Sequence, residues 1–405
     1  MTIADPTAGL RIAYLSGSPR IATRDDAEVA GPRAHILGFV AALRRDGHMV
    51  DEFILGDLLN RRVSGEGSLR MITGGWLRQF AVDLVRLVLR VTVARRARRH
   101  LEGPYDVVYE RFALFQQLGQ SFQRDGTPWV VETNAVISQE ARRERNTLAL
   151  HRLAAWLERR TYRQADLVVC ISDALRDLLV EQADVPPEKI VVIPNAVDVD
   201  RFAAIETPAG EVADGADPVI GYVGWLTERQ GLDQLIRALR ELRGRGLAAR
   251  AVIVGDGPDR PRLERLAADE GVADAIAFVG QVPWSDIPRW IGTFSVGYSG
   301  QRGVGGMPMY HSPLKIYEYL AGARPVVATN HPDAEVALLK PRAGWTFEAG
   351  NDEDLTAVFE QVARLDSAEL SRYGERARTH VEGHHTWQHR SRLLLAELHA
   401  RGLRV

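Results

Sequence analysis

One cysteine in 405 residues, Cys170, excludes an intrachain disulfide and points to a reducing interior. Its setting in Leu167-Val168-Val169-Cys170-Ile171 gives it the role of a small buried side chain. Long hydrophobic runs are missing too, so no segment reads as a bilayer span. Met1 to Leu10 lacks the basic start and apolar stretch of a signal peptide, so a cytoplasmic protein is expected. Neither sign of charge dominates. With 51 basic and 53 acidic residues the formal net charge is −2, which excludes a general nucleic-acid binder. Lysine is scarce: Lys189, Lys315 and Lys340 stand among a basic complement that is otherwise arginine. A lysine kept where arginine fills most cationic positions draws attention to Lys315, because lysine meets phosphate as a compact point charge.

What is present is a regular alternation. Arg11-Ile12-Ala13-Tyr14-Leu15 reads as a strand, then a helix runs from about Arg33 to Asp46. Val107-Val108-Tyr109, Trp129-Val130-Val131, Leu167 to Ile171 and Lys189 to Ile193 read as further strands, and Ser172-Asp173 caps a helix behind one of them. An acidic, small-residue stretch follows. A second series then begins at Val219-Ile220-Gly221-Tyr222-Val223-Gly224 and continues through Ala251 to Gly255, Ala277 to Gly280, Phe294 to Tyr298 and Pro325 to Ala328. Short apolar strands separated by helices imply parallel sheets covered on both faces. The expected fold class is α/β, with two doubly wound domains. They are an N-terminal domain over 1–202, a linker over 203–217, a C-terminal domain over 218–383, and a last helix over 384–405 that returns to the first domain.

The richest segment is His311-Ser312-Pro313-Leu314-Lys315-Ile316-Tyr317-Glu318-Tyr319-Leu320-Ala321-Gly322, followed by Pro325-Val326-Val327-Ala328. Pro313 suits a first helical turn, and Gly322 a stop. Lys315 and Glu318 are three apart, so one helix face carries a cation and, one turn on, a carboxylate. A helix start adds free N–H groups and a positive dipole end. Together these could hold a nucleotide diphosphate and its ribose; an ordinary surface ion pair is the bland alternative.

The segment resembles the nucleotide-binding helix of glycosyltransferase family 4, in the branch reading Ser-Pro-Leu-Lys-x-x-Glu-Tyr. Ile190 to Asp198 with Phe202, Val254-Gly255-Asp256-Gly257-Pro258 and Phe278-Val279-Gly280-Gln281-Val282 are similar to its other segments, in order. The resemblance implies the GT-B fold, two facing Rossmann-like domains with a cleft between them, and a retaining, metal-independent transferase without a cofactor. In such a protein Glu318 holds the ribose, Val282 the nucleobase by its backbone, and Lys315 the diphosphate. Gly305, Gly306, Pro313 and Leu314 would supply backbone contacts, Gly224 a close approach, and Gly31 the start of the first domain's helix. The family's arginine and lysine after the first strand of the second domain are here Trp225 and Gln230; Arg229 could replace the charge or be a solvated residue at a helix start. Tyr310 stands where most members carry a second glutamate, and Asn134 where many place a histidine facing the sugar. An amide orients a hydroxyl but cannot exchange protons at neutral pH, which leaves Glu132 and Glu110 as acid–base candidates or as structural partners of arginine.

No metal site is expected, since His385-Thr386-Trp387-Gln388-His389 lacks the glutamate of a zinc protease helix. From Arg70 to Arg99, eight arginines accompany a single acid, Asp83. Trp76, Leu77, Phe80, Leu84, Leu87, Val88 and Val91 recur at helical spacing, with Arg78, Arg86 and Arg90 on the other side. Either the apolar stripe packs on the domain with its arginines in solvent, or a basic amphipathic helix over 70–99 lies peripherally on the inner membrane face. The function expected is transfer of a hexosyl or N-acetylhexosaminyl group from a nucleotide-diphosphate donor, UDP-linked by resemblance, to a glycan, lipid-linked intermediate or natural product. A nucleotide-sugar 2-epimerase and a degenerate relative that binds nucleotide without turnover are the alternatives.

Overall fold

The computed structural model describes residues 9–24, 30–59, 75–143, 147–203, 217–303 and 309–403. Contacts divide the chain into two compact units: residues 1–194 with 310–312 and 387–405, and residues 195–309 with 313–386. The greater part of the expected linker lies outside the described residues.

In the first unit six parallel strands are β1 (Arg11–Ser16), β2 (Met49–Ile54), β3 (Val107–Arg111), β4 (Trp129–Thr133), β5 (Leu167–Cys170) and β6 (Ile190–Val192), in the order β2-β1-β3-β4-β5-β6. The side chains of the inner strands are buried on both faces, Ile12 to Leu15 and Trp129 to Val131 among them, as a sheet covered by helices demands. Helix α1 (Ala30–Arg45) packs beside α10 (Trp387–Ala400), the last helix of the chain's described residues. The two helices meet at Gly38, where a methyl group would stand 2.1 Å from Trp387 Nε1. Arg392 pairs with Asp46 at 2.9 Å farther along. Ser172 Oγ accepts from Leu175 N at 3.1 Å and so caps α4 (Asp173–Ala183), the helix read behind β5.

Two other helices of this unit are α2 (Trp76–His100) and α3 (His151–Gln164). Of the two readings of α2, the one in which its apolar stripe packs inward fails at Trp76, Leu77, Leu84, Val88 and Val91, which are exposed, while Arg78 is exposed as that reading expects and Arg86 and Arg90 are half-buried. Asp83 is fully buried: its Oδ2 accepts from Ala149 N and Leu150 N at 2.9 and 3.0 Å, just before α3, and its Oδ1 accepts from Arg86 at 3.2 Å. A buried carboxylate draws its cation in with it. Gln79 is buried too and Arg90 donates to Gln117, so polar groups share the protein-facing side with Leu87 and the fully buried Ala97. Trp76, Leu77, Leu84, Val85, Val88, Leu89 and Val91 face outward. Among the described residues no helix is long and apolar enough to cross a membrane.

The second unit is also a six-stranded parallel sheet: β7 (Val219–Val223), β8 (Arg250–Val254), β9 (Ile276–Gly280), β10 (Val296–Ser299), β11 (Val326–Thr329) and β12 (Gly344–Phe347), ordered β12-β11-β10-β7-β8-β9. One core gathers α5 (Leu232–Gly244), α6 (Arg260–Asp269) and α8 (Asp352–Ala363) around Tyr222, Ile253 and Tyr298; another gathers α7 (Leu314–Ala321) and α9 (Ser367–His384) around Val223, Val254 and Phe294. Each core collects the stripe that its helices present every three to four residues, such as Leu235, Ile236, Leu239 and Leu242.

The contact at Gly38 makes a direct test of how α10 is seated. Gly38→Ala should lower unfolding stability by about 1–3 kcal/mol through overpacking. Urea denaturation checks this, and shrinking Trp387 in the same chain should recover part of the loss.

Candidate functional site

The second sheet reverses its winding between β7 and β10. Outside the carboxyl ends of strands at such a reversal lies the crevice that parallel sheets use for ligands. The segments that meet there are the turn after β7, the chain after β10, and α7. Gly224 follows β7 with φ +144°, a backbone conformation that side chains resist. A Cβ at that position would lie 3.1 Å from Tyr222 Oη and 3.2 Å from Lys315 Nζ. Gly255 is pinned for a different reason, since a Cβ there would strike the Gly224 carbonyl at 2.0 Å.

Helix α7 is locked to both strands. Val223 N donates to Tyr319 Oη at 2.9 Å, and Tyr319 Oη donates to Tyr298 O at 3.3 Å. Pro313 is its N-cap and offers no capping side chain, Leu314 is its first residue, and Gly322 N closes it on Glu318 O at 3.0 Å. This seating buries Lys315, whose Nζ donates to Gln230 Oε1 at 2.7 Å and sits 4.0 Å above the centre of the Tyr222 ring. Burial pushes the Lys315 ammonium down to about 7, with the Glu318 carboxylate resisting the fall. Glu318, one turn on, is raised by burial against the pull of Arg201 and Lys315. Arg201 stacks on Trp284, its guanidinium 3.2 Å from the ring centre, and donates to Trp284 O at 2.9 Å. The loop that carries Val282 is thereby tied to the surroundings of Glu318.

Gln301, after β10, donates to Gln230 Oε1 at 3.3 Å, while its own Oε1 and the nearby Ser299 Oγ are buried without a hydrogen-bond partner. His331, after β11, accepts from Ala334 N through Nδ1, which leaves the proton on a buried, unpartnered Nε2. Burial pushes this imidazole down to about 4, so it is neutral. Arg229 lies in the short turn Glu228–Gln230, its carbonyl accepting from Arg302 N at 2.9 Å. Gly305 and Gly306 lie outside the described residues. A buried cation, a carboxylate one turn away and a helix start without a capping side chain suit an anion next to a vicinal diol.

The first unit holds a different arrangement. Glu132 accepts from Arg111 at 2.6 Å, Tyr109 at 2.9 Å and lies 3.0 Å from His35 Nε2. Burial alone would raise its pKa, but His35, Arg111 and these hydrogen bonds bring it down to about 2. Glu110 accepts from Leu118 N, Gly119 N and Trp129 Nε1 at 2.9, 2.8 and 3.0 Å. Burial pushes it up to about 7 against those three donors. Both carboxylates thus have structural partners, an arginine for Glu132 and amides with an indole for Glu110. Asn134, just past β4, is partly exposed, and its Oδ1 has no hydrogen-bond partner. Gly31 sits in the first turn of α1, the helix from which His35 reaches Glu132. Among the described residues no three His, Cys, Asp or Glu side chains gather so as to hold a metal ion.

Residues 30–196 match the model of the glycosyl transferase 4-like domain, and residues 217–365 that of glycosyl transferases group 1. The chain belongs to the GT-B glycosyltransferases of this family 4 and group 1 type. The glycosyltransferase relatives include an alpha-D-kanosaminyltransferase of Streptomyces kanamyceticus, 28% identical over 54% of this chain and 57% of that one. A GDP-mannose-dependent alpha-(1-6)-phosphatidylinositol monomannoside mannosyltransferase of Mycolicibacterium smegmatis is 32% identical over 59% of this chain and 63% of that one. The chain therefore matches only somewhat more than half the length of these curated glycosyltransferases. In fold it is similar to HepE of Anabaena, a protein crystallised in complex with UDP, with a TM-score of 0.66 at 17% identity over 96% of this chain and 100% of that one.

Reading the glycosyltransferase motifs alone missed Gln301, Arg201, Trp284 and His331, and saw in Gln230 only a lost lysine. Trp284, two residues beyond Val282, and Arg201, beside the motif residue Phe202, were the available signals. For Glu132, removal of the charge strands Arg111 and His35. Glu132→Gln should cost about 3–5 kcal/mol in urea unfolding. Because the folded carboxyl titrates below its ordinary value of 4.5, its stabilisation is present above that pH and is lost as pH falls toward about 2. The variant should lack that part of the acid sensitivity.

Proposed function

We propose that this protein transfers a sugar from a nucleotide-diphosphate donor, a UDP-sugar by preference, to an acceptor, with retained configuration and without a metal. One observation carries the reading: Lys315 and Glu318 stand one helical turn apart at the winding reversal of the second sheet. In this role Glu318 accepts from the ribose hydroxyls. Lys315, the first N–H groups of α7 at Leu314 and Lys315, and Arg229 meet the diphosphate, where charge accumulates as the sugar leaves. Val282 offers backbone to the base. Asn134, with its unpartnered Oδ1, orients a sugar hydroxyl, and it is a better candidate than Glu132 or Glu110, whose oxygens are already engaged.

The UDP preference rests on the family resemblance and on the UDP bound in HepE, while the mannosyltransferase relative is named for GDP-mannose. Thermal unfolding with UDP, GDP and TDP decides between them. A ligand at about 100 times its dissociation constant adds roughly 2.7 kcal/mol, an easily read shift. A UDP-selective shift, lost in Glu318→Ala, is expected. An absent shift with every nucleotide would sink the donor site, and an epimerised nucleotide sugar among the products would favour an epimerase.

Lys315 gives the site a pH signature. An anion raises the pKa of an ammonium that titrates near 7 in the free protein, so binding takes up a proton above that pH. Affinity for UDP-glucose, measured by calorimetry, should be level below pH 7 and fall by up to about tenfold per pH unit above it. Lys315→Arg, always charged, should bind with no such dependence.

A further inference from the structure

The outward face of α2 has no counterpart in the donor chemistry. Leu77 and Val88 are 75% and 72% exposed, Trp76 is 62% exposed, and Leu84 and Val91 extend the same stripe. Spacings of seven, four and three residues keep Leu77, Leu84, Val88 and Val91 on one side of a helix of 25 residues. Toward the end of α2 the exposed positions turn basic, with Arg95, Arg96 and Arg99. Helix α3 continues this surface. Arg90 donates to Gln117, and Gln117 donates in turn to Thr161 at 2.7 Å, which holds the two helices side by side. The exposed side of α3 carries Leu153, Trp156, Arg152, Arg159 and Arg160, and the Arg160 guanidinium lies 5.5 Å from the Trp156 ring centre.

Neither helix exposes a carboxylate. Asp83 and Glu158 are their only acids, and both are buried. A second copy of the same face would set arginines against arginines, and an uncharged apolar partner would leave them uncompensated. A surface that is apolar within and anionic at its boundary meets both requirements. We infer that the α2–α3 face of the first unit docks shallowly into an anionic lipid bilayer. The stripe from Leu77 to Val91 enters the acyl boundary, to the about 5–10 Å typical of interfacial helices, and the arginines remain among the headgroups. Docked in this way, the protein meets acceptors carried in the membrane ahead of free metabolites. The surface is independent of the donor site.

The test is sedimentation of the full chain with phosphatidylcholine vesicles, with and without phosphatidylserine. Binding should require phosphatidylserine, weaken with salt, and fall at least tenfold in Val88→Glu. Arg95→Glu with Arg99→Glu should lower it by at least about 25-fold, since each basic residue near an anionic surface is worth roughly fivefold and the new carboxylates are repelled as well. Trp76 and Trp156 should report insertion as a blue shift of emission that is reduced in Trp76→Phe. Both charge variants lie on the exposed surface and should retain the wild-type melting temperature and response to UDP. A chain that stays in the supernatant with anionic vesicles, or a Val88→Glu variant that binds them as well as wild type, would overturn the inference. So would a lipid-free dimer that Val88→Glu dissociates, because the face would then belong to a second copy. Loss of the UDP response with vesicle binding intact would instead remove the donor reading alone.

Discussion

The buried ammonium of Lys315 is the constraint on which the second unit's site depends. Among the described residues its hydrogen-bond partner is a neutral amide, Gln230, and the Tyr222 ring lies below it. Such a cation is costly to keep dry, and the cost is visible as a pKa of about 7. The surroundings are shaped to hold it there. Gly224 has no side chain to displace it, and Tyr319 clamps its helix to the two strands at the winding reversal. Tyr298 holds the Gly231 carbonyl at 2.8 Å at the start of α5, close to Gln230. A diphosphate arriving at this point would find a preorganised charge, which favours an anion without reorganising the protein.

The first unit handles charge in the opposite way. Glu132 is surrounded by donors until its acidity is extreme, and Glu110 is enclosed by two amides and an indole. Groups so fully engaged organise strand ends; they have little capacity left for a substrate. Asn134 at the end of the same strand as Glu132 keeps an unfilled acceptor. The contrast between saturated carboxylates and an unsaturated amide is what separates framework from candidate contact in this half of the chain.

Much of the fold was legible because the inner strands are buried on both faces and therefore read as short apolar runs, such as Val219 to Val223 and Ala251 to Val254. The strands that escaped notice, Met49–Ile54 and Gly344–Phe347, are sheet edges. Asp51 and Glu52 interrupt the first of them, and they pair with Arg11 at 2.9 Å and with Arg44 of α1 at 2.7 Å. That Lys315 and Glu318 share a helix face was legible from spacing, but their reading as a donor site came from the resemblance of the whole Ser312 to Tyr319 segment to the family's nucleotide-binding helix. Gln230 was not legible, because its contact with Lys315 spans 85 residues and depends on the winding of the sheet. Helix α2 shows the limit of periodicity most plainly. The stripe from Leu77 to Val91 was there to be read, but the side that faces the protein was decided by Asp83 meeting amides 66 and 67 residues farther on.

The most direct measurement is a crystal structure of the chain with UDP. The donor reading predicts ribose hydroxyls on the Glu318 carboxylate and diphosphate oxygens within hydrogen-bond distance of Lys315 Nζ, at the ends of β7 and β10. A nucleotide bound elsewhere, or one in contact with neither side chain, would contradict it.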